Sequence, residues 1–230
     1  MRVVGFGAHP DDVEIFFLGF LLACRARGHE IVWVIATDGG VGIEKEFAHF
    51  SHAELAAIRR TEARAAGLAL GVEPIFLNLS DGLLTTDVHT LRLLQDQVAA
   101  LAPDLIVTHS RNDYHPDHRV LSEGIGSVAG RSIPVLFSDT LRGIDFDPML
   151  FVDITAHFDA KCDAIRRHVS QRPDRYVHIA HTVNAFRALQ CKLPAGSYAE
   201  AFRLDAALSP VDIAALLPAG VDLRRPAKSL

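Results

Sequence analysis

The sequence predicts an α/β fold in which a Rossmann-like, mostly parallel sheet is flanked by helices. Short β-rich runs alternate with helical segments over residues 1–140. Residues 2–8 and 30–36 are two such runs, and the apolar stretch between them has the length of one helix, which is typical of a βαβ unit. The composition, 49% hydrophobic and 22% charged, is that of an ordinary globular protein.

The elements follow one another regularly in this first part. The first helix ends near Arg25, because Gly28 follows as a stop signal. Ser51 and Glu54 form a capping box that opens a helix reaching about Leu70. The further predicted segments are a strand at 74–77, a helix at about 87–102, a strand at 104–109, a helix at about 117–129 and a strand at 133–138.

The alternation weakens past Asp139. We expect one domain over residues 1–230, with a Rossmann-like core at 1–140 and an extension of the same domain at 141–230. The elements expected in the extension are an edge strand at 151–154, a helix from Thr155 to about Val169, a helix at about 176–190, a late strand at 200–204 and a short helix from Ser209.

Composition and charge exclude several classes of protein. The 23 basic and 28 acidic residues give a net charge of −5, and no basic run is longer than a pair, so a nucleic-acid partner is not expected. The longest apolar run, Ile15 to Cys24, is too short for a membrane span. The three cysteines form no CxxC motif and predict reduced thiols in a cytoplasmic protein.

The first group of chemically active residues is Ala8-His-Pro-Asp-Asp-Val-Glu14, at the carboxyl end of the first strand. Ligands bind at this edge of doubly wound sheets. His9 and a carboxylate three residues further on can converge on one ion, while a neighbouring carboxylate faces the open coordination position. The alternative is a helix cap, in which Asp11 or Asp12 is the cap residue and Glu14 its reciprocal partner.

The second group, His115-Pro-Asp-His118, follows the fourth strand and precedes a helix. By itself it could be a polar turn in which Asp117 caps the next helix. In the strand order 3-2-1-4-5, however, strands one and four are neighbours, and the two groups meet in one crevice. Two histidines and a carboxylate are a catalytic type of zinc set, although iron or manganese would also suit them. The glycines of Gly5-Phe-Gly7 lie inside the strand, which disfavours a dinucleotide site.

With both motifs, the sequence resembles the LmbE-like (PIG-L-type) zinc-dependent N-deacetylases. Supporting segments extend the similarity over essentially the whole chain. They are Thr37-Asp38-Gly39, Arg59 to Glu62, Val152 to Thr155, Ser170-Gln171 and Tyr198 to Phe202. One departure is the run Ile15 to Gly19, which stands where the family has a glycine-rich run. Phe16 and Phe17 are therefore expected to narrow the floor of the pocket.

The resemblance implies a role for each matching residue. Zinc, or another divalent metal such as Fe²⁺, would be bound by His9, Asp12 and His118. Asp11 would be the general base, and His115 would stabilise the oxyanion or protonate the leaving amine. The remaining candidates are Asp117 to orient a histidine, Tyr198 as a second oxyanion donor, and Arg59 and Asp38 as substrate contacts. For Arg59, a solvated or ion-paired side chain is an equally weighted alternative.

The implied activity is hydrolytic removal of the N-acetyl group from an N-acetylated amino sugar or sugar conjugate. The alternatives are a metal-dependent amidase that acts on a larger or non-sugar amide, and a catalytically silent metal- or carbohydrate-binding protein. The expected partner is the small-molecule substrate, and a homo-oligomer is possible. Two further histidines are placed outside the ligand set. We expect His109 to pack in the core, with a contact to a metal-binding residue as the alternative, and His168 to lie at the surface or at an interface.

Overall fold

The computed structural model describes residues 1–42, 44–68, 70–130, 132–141, 145–204 and 222–226. Within these ranges, eight strands form a single sheet. They are β1 (Arg2–Gly7), β2 (Glu30–Thr37), β3 (Ile75–Leu79), β4 (Leu105–Thr108), β5 (Val135–Ser138), β6 (Leu150–Asp153), β7 (Ala199–Leu204) and β8 (Leu223–Arg224).

The helices of the same ranges cover both faces of this sheet. They are α1 (Asp12–Phe16), α2 (Leu18–Ala26), α3 (His52–Gly67), α4 (Val88–Leu101), α5 (Pro116–Ala129), α6 (Phe158–Ile165) and α7 (Pro173–Gln190). None of the described helices is both long enough and apolar enough to cross a membrane.

The strand order is β3-β2-β1-β4-β5-β7-β6-β8, so the predicted α/β fold and the order 3-2-1-4-5 are confirmed. Strands β1 to β5 are parallel: Val4 pairs with Val32 on one side and with Ile106 on the other. Strand β7 runs antiparallel to β5. The reversal point of the parallel part therefore lies between β1 and β4, where doubly wound sheets bind their ligands.

Alternate side chains of the parallel strands enter two separate hydrophobic cores, because successive side chains of a strand point to opposite faces. Val3 and Trp33 belong to the core that α2, α3 and α6 cover. Val4 and Ile106 belong to the core beneath α4 and α5. The result is a three-layer sandwich that fixes the carboxyl ends of β1 and β4 side by side.

The first predicted helix is divided at Phe17, which leaves the helical region with φ −148° and ψ 17°. The cause lies at the other end of the chain: the carboxylate of Glu200 in β7 accepts hydrogen bonds from Gly19 N (2.9 Å) and Phe20 N (2.7 Å). This anion therefore starts α2 as a separate helix. Lys161 Nζ lies 2.6 Å from Glu200 Oε1, and both side chains are buried.

The break also sends the two phenylalanines in different directions. Phe17 is fully buried under β1, where a Cβ placed on Gly5 would lie 3.0 Å from its ring. Phe16 instead packs edge-on against His118, with ring centroids 5.5 Å apart. The expectation that both rings shape the pocket is therefore wrong for Phe17, because the dihedral change at this residue turns its side chain into the core.

The second half of the chain differs from prediction in two elements. The strand expected at the sheet edge, β6, is paired on both sides, because β8 adds to it through Phe151 and Arg224. The helix expected from Thr155 starts as a short 3₁₀ turn, Thr155–His157, and its α-helical part ends at Ile165. The helix expected from Ser209 lies outside the described residues.

Candidate metal centre

The carboxyl ends of β1 and β4 bring His9, Asp12 and His118 together. His9 Nδ1 lies 3.2 Å from His118 Nε2 and 3.2 Å from Asp12 Oδ2. His118 Nε2 lies 3.2 Å from Asp12 Oδ1. The turn after β1 is fixed by the backbone amide of His9, which donates to Asp12 Oδ2 across 2.6 Å.

These spacings fit a tetrahedral metal ion. Zinc–nitrogen distances of about 2.0–2.1 Å place two tetrahedral ligand atoms roughly 3.3 Å apart, close to the separations between the three side chains. All three are buried, at 7%, 4% and 2% exposure for His9, Asp12 and His118. Two imidazoles and one carboxylate leave a fourth position for water or substrate.

Carboxylates stand behind both histidines. Asp113 Oδ1 lies 3.1 Å from His118 Nδ1. On the far side of His9, Asp81 Oδ1 and Asp117 Oδ2 each lie 3.2 Å from Nε2. Such carboxylates orient metal-binding imidazoles and fix their tautomer. Sequence analysis missed Asp81 and Asp113; the available signals were the position of Asp81 directly after the third strand and that of Asp113 just before the second motif.

The electrostatics of the cluster favour positive charge at its centre. Burial opposes protonation of His118, but Asp12 and Asp113 outweigh it and raise the pKa to about 9. Burial likewise opposes protonation of His9, and Asp12 raises its pKa well above the usual value. Burial would raise the pKa of Asp12, yet the three neighbouring imidazoles of His118, His109 and His9 hold it well below its ordinary range. A bound cation would be stabilised by the same carboxylates that favour protonation of the two histidines.

His109 is buried, as expected, and it also contacts the cluster, which was the alternative considered for it. Its ring stacks on that of His118, with centroids 3.8 Å apart and an 11° angle between planes. Ala8 N donates to His109 Nε2 across 3.0 Å, and Asp12 Oδ2 lies 3.1 Å from the same nitrogen. Burial, with His118 alongside, lowers the pKa of His109 to about 4. The ring therefore packs behind the cluster in its neutral form.

Asp11 faces the cleft and not the end of α1. It occupies the cap position, but its side chain makes no capping hydrogen bond. Asp12 Oδ2 accepts instead from the amide of His9, so the cap interpretation of these two aspartates is wrong. Arg59 Nη2 donates to Asp11 Oδ1 across 2.9 Å, and Arg59 Nη1 donates to Gly39 O across 2.9 Å. The ion-paired alternative therefore describes Arg59.

The cleft in front of these residues has a volume of about 120 Å³. Ile15 and Phe16 form part of its lining, and Tyr114, Gln171 and Tyr176 line it from other segments. Asp11, Arg59 and His115 reach it together with the three candidate ligands.

His115 caps α5 with its own ring. Its Nδ1 accepts from Asp117 N across 3.2 Å, so the neutral ring carries its proton on Nε2. The carboxylate of Asp117 is directed elsewhere: it accepts from Gly82 N across 2.7 Å and faces His9. The turn interpretation, with Asp117 as the cap, is therefore wrong.

Two candidates lie away from the cleft. The Tyr198 hydroxyl is 3.0 Å from His181 Nδ1, and its ring stacks on Phe158 at 3.5 Å. Tyr114 and Tyr176 are the tyrosines that line the cleft. Asp38 Oδ1 accepts from the amide of Gly40 within its own loop, and its side chain does not line the cleft.

A buried network joins the first motif to the segment after α6. His168 Nε2 pairs with Glu14 Oε1, and both residues are almost wholly buried. The expectation that His168 lies at the surface or at an interface is therefore wrong, because Glu14 needs a buried partner. Ser170 N and Oγ donate to the carboxylate of Glu62. Gln171 Nε2 donates to Gly42 O across 2.9 Å, which ties this segment to the rim of the cleft.

An α/β sheet with a histidine–carboxylate cluster at its reversal point defines the class of this protein. The sequence model of the PIG-L family, described as GlcNAc-PI de-N-acetylase, matches residues 4–129. The chain belongs to this family, and the resemblance seen in its motifs is confirmed.

Individual relatives agree with this assignment. The chain is 28% identical over 198 residues to a diacetylchitobiose deacetylase of Thermococcus kodakarensis. The aligned region covers 75% of this chain and 71% of the relative. It is 25% identical to the N,N'-diacetylchitobiose deacetylase of Pyrococcus horikoshii, with a TM-score of 0.75 over 90% of this chain and 84% of that structure.

The fold is not confined to deacetylases. The 4-carboxy-2-hydroxymuconate hydratase GalB of Pseudomonas putida superposes with a TM-score of 0.79 over 89% of this chain and 95% of that structure, at 22% identity. The fold therefore leaves the reaction open, and the reaction must be argued from the site.

Proposed function

We propose that this protein is a zinc-dependent N-deacetylase that hydrolyses the N-acetyl group of an amino sugar or sugar conjugate. The observation that carries this proposal is the convergence of two imidazole nitrogens and one carboxylate beside Asp11, which is not one of the three. His9 Nδ1 and His118 Nε2 lie 3.2 Å apart, and each of them lies 3.2 Å from one oxygen of Asp12. The deacetylase relatives support the choice of an N-acetylated sugar as substrate.

His9, Asp12 and His118 would hold the metal ion. A bound zinc ion supplies Lewis-acid chemistry, because it makes water acidic near neutral pH and polarises a carbonyl group. The carboxylates of Asp113, Asp81 and Asp117 would keep the two imidazoles oriented toward the ion.

Asp11 would take the proton of the attacking water. It lies next to a proposed ligand, Asp12, but its own carboxylate is turned to the cleft and held by Arg59. Because the guanidinium fixes one carboxylate oxygen, the other is left for the water. A general base held in this way contributes roughly 10²- to 10⁴-fold to the rate.

His115 would act on the other side of the scissile bond. Its Nε2–H can donate to the acyl oxygen as negative charge develops there, and one such donor is worth about 3–4 kcal/mol. The water oxygen bonds to the acyl carbon and the carbon–nitrogen bond breaks, which gives acetate and a free amine. The proton taken by Asp11 balances the proton that the amine nitrogen gains.

The test is amine release from a panel of N-acetylated sugars. Metal-free protein would be prepared by thorough chelation and then reconstituted separately with zinc, iron(II) and manganese. We expect primary amine to appear only after a divalent ion is restored, with one equivalent of acetate for each amine. Activity that survives chelation would contradict the mechanism, and tight metal binding without turnover of any amide would favour the silent binding protein.

A further inference from the structure

A second cavity lies beside the cleft, along α7. It has a volume of about 310 Å³, and its lining includes Arg175, Ile179 and Val183. Tyr114, Leu141 and Tyr176 line both this cavity and the cleft, so the two are contiguous. We call the second cavity the α7 groove.

We propose that the α7 groove binds an apolar or aromatic group carried on the amine side of the substrate, such as the aglycone of an N-acetylated amino sugar. This inference rests on the proposed function for the position of the scissile bond. It goes beyond that function because it names the part of the substrate that the protein recognises outside the reacting amide.

The surface of α7 supports an apolar occupant. Tyr176, Ile179 and Val183 recur with helical spacing and form a half-buried stripe along the groove. The adjacent stripe of the same helix, which contains Val177, Ala180, Asn184 and Ala188, is buried against the body of the protein. The helix therefore has a second apolar face that no other described element covers completely.

The volumes indicate that the substrate extends beyond the cleft. Small-molecule sites are commonly about 300–1,000 Å³, and the cleft alone, at about 120 Å³, falls below this range. The α7 groove, at about 310 Å³, brings the combined space within it. A substrate that filled only the cleft would leave the α7 groove empty.

A third cavity indicates which end of the substrate enters the groove. Ile15, Phe16 and Leu141 line both the cleft and a cavity of only about 20 Å³, so these two spaces also adjoin. A space of that size holds little more than one water-sized group, since a water molecule needs roughly 10–15 Å³ by the same measure. It matches the methyl of an acetyl group and leaves the larger groove for the amine side.

The charges at the groove restrict the occupant further. Arg175 and His178 line it and are exposed, and no acidic residue of the described chain lines it. The groove should therefore accept neutral or anionic aromatic groups and discriminate against cationic ones.

The experiment compares two series of substrates on the zinc-loaded protein. One series keeps the acetyl group and varies the aglycone of N-acetylglucosamine from methyl to phenyl to biphenyl. The other keeps the methyl glycoside and lengthens the acyl group from acetyl to butyryl to hexanoyl. We expect kcat/KM to rise about tenfold from methyl to phenyl, mainly through KM, and to fall along the acyl series.

Variants then locate the effect in the groove. Ile179→Asn and Val183→Asn should each reduce the phenyl-to-methyl ratio of kcat/KM from about ten to about one. Leu189→Asn is the matched control, because Leu189 lies on the same helix, is 59% exposed and does not line the groove. It should keep the ratio of the unsubstituted protein, and thermal unfolding of all three variants would verify that they are folded.

A binding measurement separates this inference from the proposed function. Calorimetric titration with phenyl glucosaminide and methyl glucosaminide reports the groove without turnover, and we expect the phenyl compound to bind about tenfold more tightly. Equal affinity for the two compounds would overturn the inference. A higher kcat/KM for longer acyl groups would also overturn it, if Ile179→Asn and Val183→Asn abolished that increase. If no substrate released amine, the proposed function would fail, while the two titrations would still decide whether the groove binds the aglycone.

Discussion

Arg59 and Asp11 form a buried ion pair across the cleft, with Nη2 and Oδ1 2.9 Å apart and side-chain exposures of only 3% and 9%. The second nitrogen of the guanidinium binds the carbonyl of Gly39. One side chain of α3 therefore fixes both the proposed base and the loop after β2. This arrangement couples the packing of a helix to the geometry of the reaction.

Replacing Arg59 should harm activity and stability together. We expect Arg59→Met to lower kcat/KM by about 100-fold, because the carboxylate of Asp11 loses its orientation. It should also lower the free energy of unfolding by about 3–5 kcal/mol, since a buried charge loses its partner. Urea denaturation and amine-release kinetics measure the two effects. Arg64→Met is the control, because the pair that Arg64 forms with Glu73 is exposed and should contribute less than about 1 kcal/mol.

The two adjacent aspartates should separate metal binding from proton transfer. Asp11→Asn should retain zinc and lose roughly 10²- to 10⁴-fold in kcat, because the amide cannot accept the proton of water. Asp12→Ala should lose zinc, because it removes one of three proposed ligands. Metal analysis after dialysis, together with turnover, measures both outcomes. Equal loss of metal in the two variants would refute this division of roles.

Asp113 should affect metal affinity without touching the ion. Its carboxylate lies behind the outer nitrogen of His118, so Asp113→Asn should weaken zinc binding by about 10- to 100-fold. Competition with a chromophoric chelator measures the change. Asp96→Asn, at an exposed position of α4, is the matched control. An unchanged zinc affinity in Asp113→Asn would show that the carboxylate does not support the ligand.

The pair between Lys161 and Glu200 should dominate the stability of the second half of the sheet. In Lys161→Met, the buried carboxylate of Glu200 keeps its hydrogen bonds from the amides of Gly19 and Phe20 but loses its positively charged partner. We expect a loss of about 3–5 kcal/mol in the free energy of unfolding. Arg166→Met removes an exposed pair with Asp163 and should cost less than about 1 kcal/mol. Similar losses in the two variants would contradict the importance of burial.

The capping box of α3 should make stability depend on pH. Hydrogen bonds from the hydroxyl and the backbone amide of Ser51 hold the pKa of Glu54 below its usual value of 4.5. A lowered folded-state pKa stabilises the protein above the unfolded value, and this contribution is lost as the pH falls through the folded-state value. The stability difference between the unsubstituted protein and Glu54→Gln should therefore shrink below about pH 4.5. In a Ser51→Ala background, which removes the hydroxyl donor but keeps the backbone amide, the Glu54→Gln difference should depend less strongly on pH.

The sequence was sufficient to predict the parallel half of the sheet and the meeting of its two motifs. His9 and His118 could be placed together because both follow strands, and the carboxyl ends of neighbouring parallel strands share one edge. The positions of Asp81 and Asp113 beside a strand and a motif were weak signals, because a single aspartate beside a strand or turn is usually a turn former. Their carboxylates acquire a partner only once the chain has folded.

The antiparallel half was less predictable for a physical reason. The position of Tyr198 depends on where β7 joins the sheet, and β7 lies between β5 and β6 instead of following the chain order. Local propensity carries no information on such a long-range pairing. The division of the first helix at Phe17 could not be predicted for the same reason: it is caused by Glu200, which is distant in the sequence. The roles assigned to the site residues remain predictions that the variants above will test.

The anchoring of α2 by Glu200 has a consequence for the order in which the protein matures. The residues proposed to hold the metal are made early, between positions 9 and 118, but the carboxylate that organises the helix behind them follows some 180 positions after Gly19 and Phe20. A nascent chain therefore exposes its histidines and aspartates before their scaffold is complete. Loading with metal should consequently follow the synthesis of β7, and a stalled chain that ends before β7 should acquire little metal.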